Sequence, residues 1–562
     1  MAAVSVPGRT PDRTQEERRT LVAALASPDA YAHEVVRPIR TIETHISDLF
    51  LTGPYVYKVK KPVDLGFVDY STLERRRRFT ELELKLNRRI SPDVYLGVEP
   101  VTSLPGGGFR VGGEGEAVEY ALKMRQLPAD RAFGALLKND EIGPGETRDV
   151  ARLLAKFHAD ADVVDPASPL GGVDAMRAVT GDNLSVIERF SGVTCERDDL
   201  DDIGAYTSAF LDVNGDILES RKARGFVRDC HGDLHAGNLF LLQDGHDGHD
   251  GIQVIDRIEF NDRFRFIDVA SDLAFLAMDL AHAGRQDLAD VLVGAYVAET
   301  GDEELRRLVD FYVIHRACVR CKVTSLLLEE LGESSENRRP DVIDEAGSYG
   351  RLAARVVAAQ RPQAVYLMAG LMGSGKSTLA DELSRRWDME RFSSDVVRKT
   401  LAGLDPERVS EEGIRDALYA GEMSDHTYGE MIRLGGEALR RGRSVVLDAA
   451  FVKRRYRSQA VAMARDHGVP VYIVESTVPE PVALARLHQR YVSGKSASDG
   501  RPELLAWHRG ESESIGALEA DGHLVVENVG GVNDAARSAL AGLWRLVLAA
   551  RRRPVPGEKR PG

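Results

Sequence analysis

The chain has 562 residues, too many for one hydrophobic core, and predicts two to four domains. An apolar share of 43% suits ordinary globular cores, and a formal charge of −14, from 74 basic against 88 acidic side chains, argues against a surface that coats nucleic acid or membranes. Cys195, Cys230, Cys318 and Cys321 are too few and too scattered for a disulfide framework; with no apolar run of membrane-spanning length and no hydrophobic leader, a reducing cytoplasm is the expected setting.

Residues 1–28 read as a polar tail leading into a first helix. Residues 45–61 turn strand-like, broken at Gly53-Pro54, and end in Tyr55-Val-Tyr-Lys58-Val-Lys60-Lys61. Alternation sets Lys58 and Lys60 on one face of that strand and Lys61 on the other. A charged helical segment follows over residues 71–90; its Arg75-Arg-Arg-Arg78 run adjoins Glu74, Glu81 and Glu83 and reads as a solvated face. More strands flank Pro105-Gly-Gly-Gly108 and close with Val118-Glu-Tyr-Ala-Leu-Lys-Met124. Residues 130–225 have helical periodicity, with His158 expected to pack inside.

Asp229-Cys-His231-Gly-Asp233-Leu-His-Ala-Gly-Asn238 has the His-x-Asp-x-x-x-x-Asn spacing of a kinase catalytic loop. Phosphoryl transfer needs a carboxylate beside the acceptor hydroxyl and, a few residues on, an amide oxygen for a metal. The apolar strand Val254-Ile-Asp256 then ends in a carboxylate placed to hold Mg²⁺ on the phosphates. Between these strands, the run from Asp244 to Gly251, with His246 and His249, reads as a hairpin loop. Such a site also needs a strand lysine paired with a helix glutamate. Lys58 is the first candidate and Lys60 its rival; Glu83 is the first partner and Glu81 the second. A helical tract covers residues 267–330, in which Cys318 and Cys321 read as packing residues. A polar loop (332–340) and a further helix (342–360) lead to a boundary at Arg361-Pro362.

Residues 363–550 alternate strand and helix, as a parallel sheet requires. Gly370-Leu-Met-Gly373-Ser374-Gly375-Lys376-Ser377, between a buried strand and a helix opening at Thr378, matches every fixed position of a P-loop. Its glycines let backbone N–H groups turn to phosphate oxygens beside a helix N-terminus, Lys376 reaches the β/γ-phosphates and Ser377 holds Mg²⁺. Ser374 and Thr378 belong to the same cradle. Further on, Ser394-Asp395-Val-Val-Arg398 offers a carboxylate for an acceptor hydroxyl and an arginine for an anionic acceptor. The strand ending at Asp448 resembles a second acidic position near Mg²⁺, acting through water; Arg454 and Arg457 beyond it are candidates to face acceptor or phosphate. Arg486 and Arg490, one turn apart, are the expected lid arginines over the γ-phosphate. Residues 493–500 read as a mobile loop and 551–562 as a basic tail.

On these motifs, residues from about 30 to 350 resemble the aminoglycoside phosphotransferase-like kinases, whose signature is His-Gly-Asp-x-His-x-x-Asn followed by an Ile-Asp strand. Residues 363–550 look like the small P-loop kinases of the gluconate kinase, polynucleotide kinase and zeta-toxin kind. The whole resembles a bacterial two-domain family labelled bifunctional aminoglycoside phosphotransferase/ATP-binding protein. The resemblance implies an α+β, two-lobed, protein-kinase-like domain followed by an α/β P-loop NTPase domain with a parallel sheet. The boundaries are a tail and first helix (1–28), an N-lobe (29–128), a helical C-lobe (129–350), a linker-helix end (351–362), a P-loop domain (363–550) and a tail (551–562). It implies Asp233 as base, Asn238 and Asp256 as metal ligands, Met124 to Leu127 as the adenine hinge, and Asp272 as the brace of the catalytic loop. One departure stands out: only Thr52-Gly53-Pro54 occupies the place of a glycine-rich loop. The expected activity is transfer of the ATP γ-phosphate, with Mg²⁺, to hydroxyls of small molecules at two sites, without nucleic-acid or membrane partners. The rival is a P-loop domain that senses ATP without transferring it. The sequence names neither acceptor nor oligomeric state.

Overall fold

The structure, a computed structural model, describes residues 15–66, 68–242, 251–331, 338–405, 421–493, 502–516 and 519–552. The hairpin loop carrying His246 and His249, most of the predicted polar loop after 331, the predicted mobile loop, the first fourteen residues and most of the basic tail lie outside the described residues. By contacts the chain divides into two units, residues 1–179 with 217–319 and residues 180–216 with 320–562.

In the first unit, helix α1 (Gln15–Leu25) is followed by strands β1 (Arg40–Glu43), β2 (Ser47–Leu51) and β3 (Tyr55–Lys60). Helix α2 (Leu73–Asn87) and strands β4 (Tyr95–Ser103), β5 (Phe109–Val111) and β6 (Ala117–Arg125) come next. The six strands form one antiparallel sheet in the order β1-β2-β3-β6-β4-β5. Period-two alternation gives each face its job. Tyr57 and Val59 of β3 pack with Phe50 and with Leu21 and Leu25 of α1, while Lys58 and Lys60 reach Glu83 of α2 from the other face. Thr72 starts α2 as its N-cap, its hydroxyl accepting from the Arg75 N–H at 3.3 Å.

Helices α3 (Phe133–Lys138), α4 (Pro144–Ala159), α5 (Val173–Glu188) and α6 (Arg197–Ala223) follow. Strand β7 (Val227–Asp229) pairs with β10 (Phe266–Asp268), and β8 (Leu239–Leu242) with β9 (Gly251–Val254), with the short helix α7 (Asp262–Arg265) between. The tract predicted over 267–330 resolves into β10 and three helices, α8 (Val269–His282), α9 (Gln286–Thr300) and α10 (Val309–Glu330). Its breaks fall at Gly284 and Gly301, whose φ values of +79° and +72° suit glycine at helix ends. Asp268 caps α8 by accepting from the Ala270 N–H at 2.8 Å, and buried Arg221 holds Asp268 and Asp302 at 2.7 Å each.

The second unit contains residues 180–216, the end of α10, helix α11 (Arg339–Ala359) and the P-loop domain. There β11 (Val365–Ala369), α12 (Lys376–Arg386), β12 (Glu390–Ser393), α13 (Ser394–Leu401), α14 (Gly421–Arg440), β13 (Val445–Asp448), α15 (Arg454–Asp466), β14 (Val471–Thr477), α16 (Glu480–Ser493), α17 (Leu505–Gly510), β15 (Gly522–Glu527) and α18 (Val532–Arg552) run in chain order. The five strands are all parallel, in the order β12-β13-β11-β14-β15. Every residue of β11 is buried, which is why it reads as an unbroken apolar run.

Asp202 of α6, 5% exposed, accepts from the indole N–H groups of Trp387 (3.1 Å) and Trp544 (2.7 Å) and pairs with Arg361 (2.5 Å). Removing one member of a buried, charge-assisted network costs about 3–5 kcal/mol, because its partners stay buried and unmet. Asp202→Ala is therefore expected to lower the melting temperature of this unit by roughly 10 °C, and Asp202→Asn, which keeps an acceptor, by much less. Scanning calorimetry of the full chain checks this; equal melting of both variants and the parent refutes it.

Candidate functional site

In the first unit, the loop after β7 is fixed by Asp272, which is fully buried one turn into α8. Its carboxylate accepts from the N–H groups of His231 and Gly232, each at 2.9 Å, and pairs with His158 Nε2 at 3.0 Å. Burial opposes its ionisation, but the His158 bond, with the nearby His231 and Arg316, wins and holds the carboxyl well below the usual range. Arg316 also donates to the carbonyls of Gly232 and Ser271 at 3.1 Å. Gly232 sits at φ +88°, and a Cβ there would lie 2.7 Å from the Phe264 carbonyl. Cys230 lies with His158 and Asp272 in a buried group whose ligand atoms fall within 4.8 Å of one another. With both Asp272 oxygens committed to these donors, that group serves as a brace.

The braced loop leaves the Asp233 side chain 36% exposed, 3.6 Å from His235 Nε2. Asn238 spends its amide nitrogen on the Asp233 carbonyl at 3.0 Å, which leaves its amide oxygen as a ligand atom. Asn238 accepts on its carbonyl from the Ile255 N–H (2.9 Å), and the Ile255 carbonyl meets His231 Nε2 (2.9 Å). The next residue, Asp256, is thereby delivered to the same place. It sits at φ +64° with its side chain half exposed, and its N–H donates to the Tyr95 hydroxyl at 2.8 Å.

Lys58 joins these parts to the sheet: its ammonium lies 2.8 Å from Glu83 and 2.5 Å from Asp256. Lys60 also meets Glu83, at 2.6 Å, but then turns to Glu259 and to the Tyr70 hydroxyl. Of the two lysines, Lys58 is the one that touches Asp256. Glu81 does not reach either one; it is half exposed and pairs with Arg77 at 2.9 Å. Enclosure by protein opposes charge on Asp256, yet the Lys58 ammonium outweighs it and keeps the carboxyl below its ordinary value. Asn238 and Asp256 together offer oxygen donors only, the set a hard cation such as Mg²⁺ takes. Met124, at the end of β6, is buried among Val94, Tyr95 and Leu122, with Val56 and Ile255 against it. A three-residue turn, Thr52 to Pro54, joins β2 to β3, too short to form a glycine-rich flap. Glu259 and Tyr70 went unnoticed in the sequence; the spacing Asp256-Arg-Ile-Glu259 was the available signal.

In the second unit, strand register does the placing. Met368, Ser393 and Asp448 lie level across β11, β12 and β13, at the carboxyl edge where the P-loop leaves the sheet. Gly370, Gly373 and Gly375 have φ values of +129°, +80° and +85°. A Cβ at Gly370 would lie 2.3 Å from the Ser476 carbonyl, and one at Gly375 2.5 Å from the Asn528 amide. The loop is thus pressed onto its neighbours with no room for side chains. The helix begins at Lys376, two residues earlier than the sequence suggested. The Ser374 hydroxyl is buried without a hydrogen-bond partner. An orphaned donor inside a ring of backbone amides fits a phosphate. Ser377 Oγ lies 3.2 Å from Asp448 Oδ1, a hydroxyl-plus-carboxylate pair that also suits Mg²⁺.

Arg391, not singled out in the sequence, donates to the other Asp448 oxygen at 2.6 Å and also pairs with Asp381. Asp395, in the first turn of α13, pairs with Arg398 at 3.1 Å. Arg486 does not stand over the loop as a lid would: its guanidinium donates to the Asn528 carbonyl at 2.8 Å and the Ser374 carbonyl at 3.3 Å. Those carbonyls, of which that of Ser374 also accepts from the Ser476 hydroxyl at 2.9 Å, hold it inward. With Arg490, Gly375, Thr378 and Asn528 it lines a cavity of about 380 Å³. Arg457 faces neither acceptor nor phosphate; it is buried on the Phe451 and Ser514 carbonyls and on Glu519. Arg454 is exposed, 3.8 Å from Glu519.

Among the described residues no helix is long and apolar enough to cross a membrane. Residues 365–510 match a family described as "AAA domain". The chain is 29% identical over 429 residues to the uncharacterized protein Rv2004c of Mycobacterium tuberculosis, covering 75% of this chain and 80% of that one. Solved structures with similarity include a choline/ethanolamine kinase family protein from Mesorhizobium loti (TM-score 0.35, 13% identity, 61% of this chain and 98% of that one). A sugar kinase from Janibacter sp. is similar over 33% of this chain and 95% of its own, with TM-score 0.25 and 18% identity.

Proposed function

We propose that the chain is an ATP-dependent phosphotransferase with two kinase-type sites, each passing the γ-phosphate to a hydroxyl of a small molecule such as a sugar or an aminoglycoside-like compound. The observation that carries the reading is the Lys58 ammonium bridging Glu83 and Asp256 at 2.8 and 2.5 Å beside the braced loop. It joins three segments far apart in sequence into the charge arrangement that phosphoryl transfer requires. In this reading Lys58 steers the phosphates and Asp233 accepts the acceptor's proton. Asn238 and Asp256 hold Mg²⁺, which supplies charge neutralisation on the phosphate oxygens. Met124 backs the base pocket. In the P-loop unit Lys376 grips the β/γ-phosphates, Ser377 and Asp448 hold the metal, and Asp395 and Arg398 receive the acceptor. Arg486 and Arg490 wall the nucleotide cavity.

One observation favours a second reading, in which the P-loop unit binds ATP as a sensor: Arg391 already pairs with the Asp448 oxygen turned away from Ser377 and offsets the carboxylate charge on which a metal would draw. Calorimetric titration of the full chain with Mg²⁺ and a non-hydrolysable ATP analogue is expected to give two equivalents bound; none bound overturns the proposal. A metabolite mixture incubated with ATP then separates the readings. Acceptor-dependent ADP release that survives Asp233→Asn belongs to the P-loop site, and its absence leaves that site a sensor.

A further inference from the structure

We infer that His508 is a phosphate-contacting residue of the P-loop site, its imidazole donating to the terminal phosphate of the bound nucleotide beside Lys376. The inference rests on reading residues 370–377 as a triphosphate loop. Two features of geometry carry it. Leu505, one turn before His508 on α17, is 2% exposed and packs with Leu487 of α16 against Leu371 and Met372 of the loop. Residues three apart share a helix face, so the face carrying His508 is the one pressed to the loop. Second, His508 Nδ1 is buried and has no hydrogen-bond partner. A buried ring nitrogen left unmet is costly, and a ligand oxygen removes that cost.

The surrounding charge fits the same role. Burial, and then the Lys376 ammonium, push His508 down to about 4, so the ring is neutral at physiological pH. Of the charged groups on the elements packed here, Lys376 of α12 is the one acting on the ring. Arg509, its neighbour on α17, is turned to Glu480 of α16 at 3.0 Å, and Arg486 of α16 is spent on the Ser374 and Asn528 carbonyls. A triphosphate beside Lys376 reverses the sign of this field. The imidazole then takes up a proton and becomes a charged donor to the phosphate. The contact also ties α17 to the loaded loop. It links the residues after 501 to nucleotide occupancy.

Histidine-labelled full chain, observed by nuclear magnetic resonance at pH 6, tests this, with the His508 signal assigned by its loss in His508→Gln. The expected result is a neutral ring in the free protein and a protonated ring once Mg²⁺ and the non-hydrolysable ATP analogue are added, with a smaller change for ADP. His508→Ala is expected to weaken binding of the analogue about tenfold, the size of one charge-assisted hydrogen bond, while AMP binding is unmoved and His508→Gln recovers part of the loss. A ring that stays neutral while calorimetry shows the analogue bound in a Lys376-dependent way overturns the inference alone. Absence of any Lys376-dependent binding overturns it together with the P-loop reading.

Discussion

Lys376→Ala is expected to remove one of two equivalents of bound Mg²⁺–ATP analogue and to leave the other at its original affinity. In the proposed reading the P-loop unit would hold phosphate chiefly through backbone amides, which the substitution does not touch. Those amides, though, are fixed dipoles, and in that reading Lys376, at the start of α12, is the full charge that meets the β/γ-phosphates. Losing a charged partner to phosphate in a partly enclosed site weakens binding by roughly 10²-fold or more. The glycine cradle at φ +129°, +80° and +85° survives, because its conformation is imposed by the Ser476 carbonyl, Ala483 and Asn528. Melting is therefore expected to be unchanged in the nucleotide-free protein. Two equivalents retained by the variant would sink the assignment of this loop. A loss of both would show that the two equivalents are not independent.

Asp233→Asn should lower kcat for acceptor phosphorylation at the first site by about 10²–10⁴-fold, the usual worth of a positioned general base. The KM for ATP should move by no more than a few-fold. The split follows from the geometry. Asn238 is oriented by the backbone carbonyl of Asp233 at 3.0 Å, and Asp272 braces the loop through the N–H groups of His231 and Gly232. The Asn238 amide also reaches an Asp233 carboxylate oxygen, at 3.5 Å, and the amide oxygen introduced by Asp233→Asn can still accept there, so metal and nucleotide contacts are retained. Steady-state kinetics on the hydroxyl compound found by the metabolite screen checks this. A rise in KM for ATP with kcat intact would assign Asp233 to nucleotide binding instead.

Much of this was readable from sequence where the signal is local. The P-loop, the His-x-Asp-x-x-x-x-Asn spacing and the strand ending in Asp256 each hold their chemistry within a few residues. Alternation along β3 also put Lys58 and Lys60 on one face. Which lysine meets Asp256 was not readable, because Asp256 and Glu259 each take one, and both arrive from some two hundred residues downstream. Arg486 and Arg490 were legible as one helical face. The carbonyl that draws Arg486 inward belongs to Asn528, 42 residues later, beyond any helical pattern. Arg391 reaches Asp448 across neighbouring parallel strands, a pairing that strand order alone creates. His508 gave no signal at all: one histidine on a six-residue helix acquires meaning only from what it packs on.

The Asp202 network bears on how this protein can be taken apart. A fragment starting at residue 363, where the sequence invites a cut, would strip Trp387 and Trp544 of the carboxylate that both indoles need. Such an excised piece would expose two bare N–H donors in an apolar seam and would be prone to aggregate. Solubility failure of that piece would then report a missing helix, not an unstable nucleotide fold, and a co-expressed peptide spanning 180–216 would be the rescue to try.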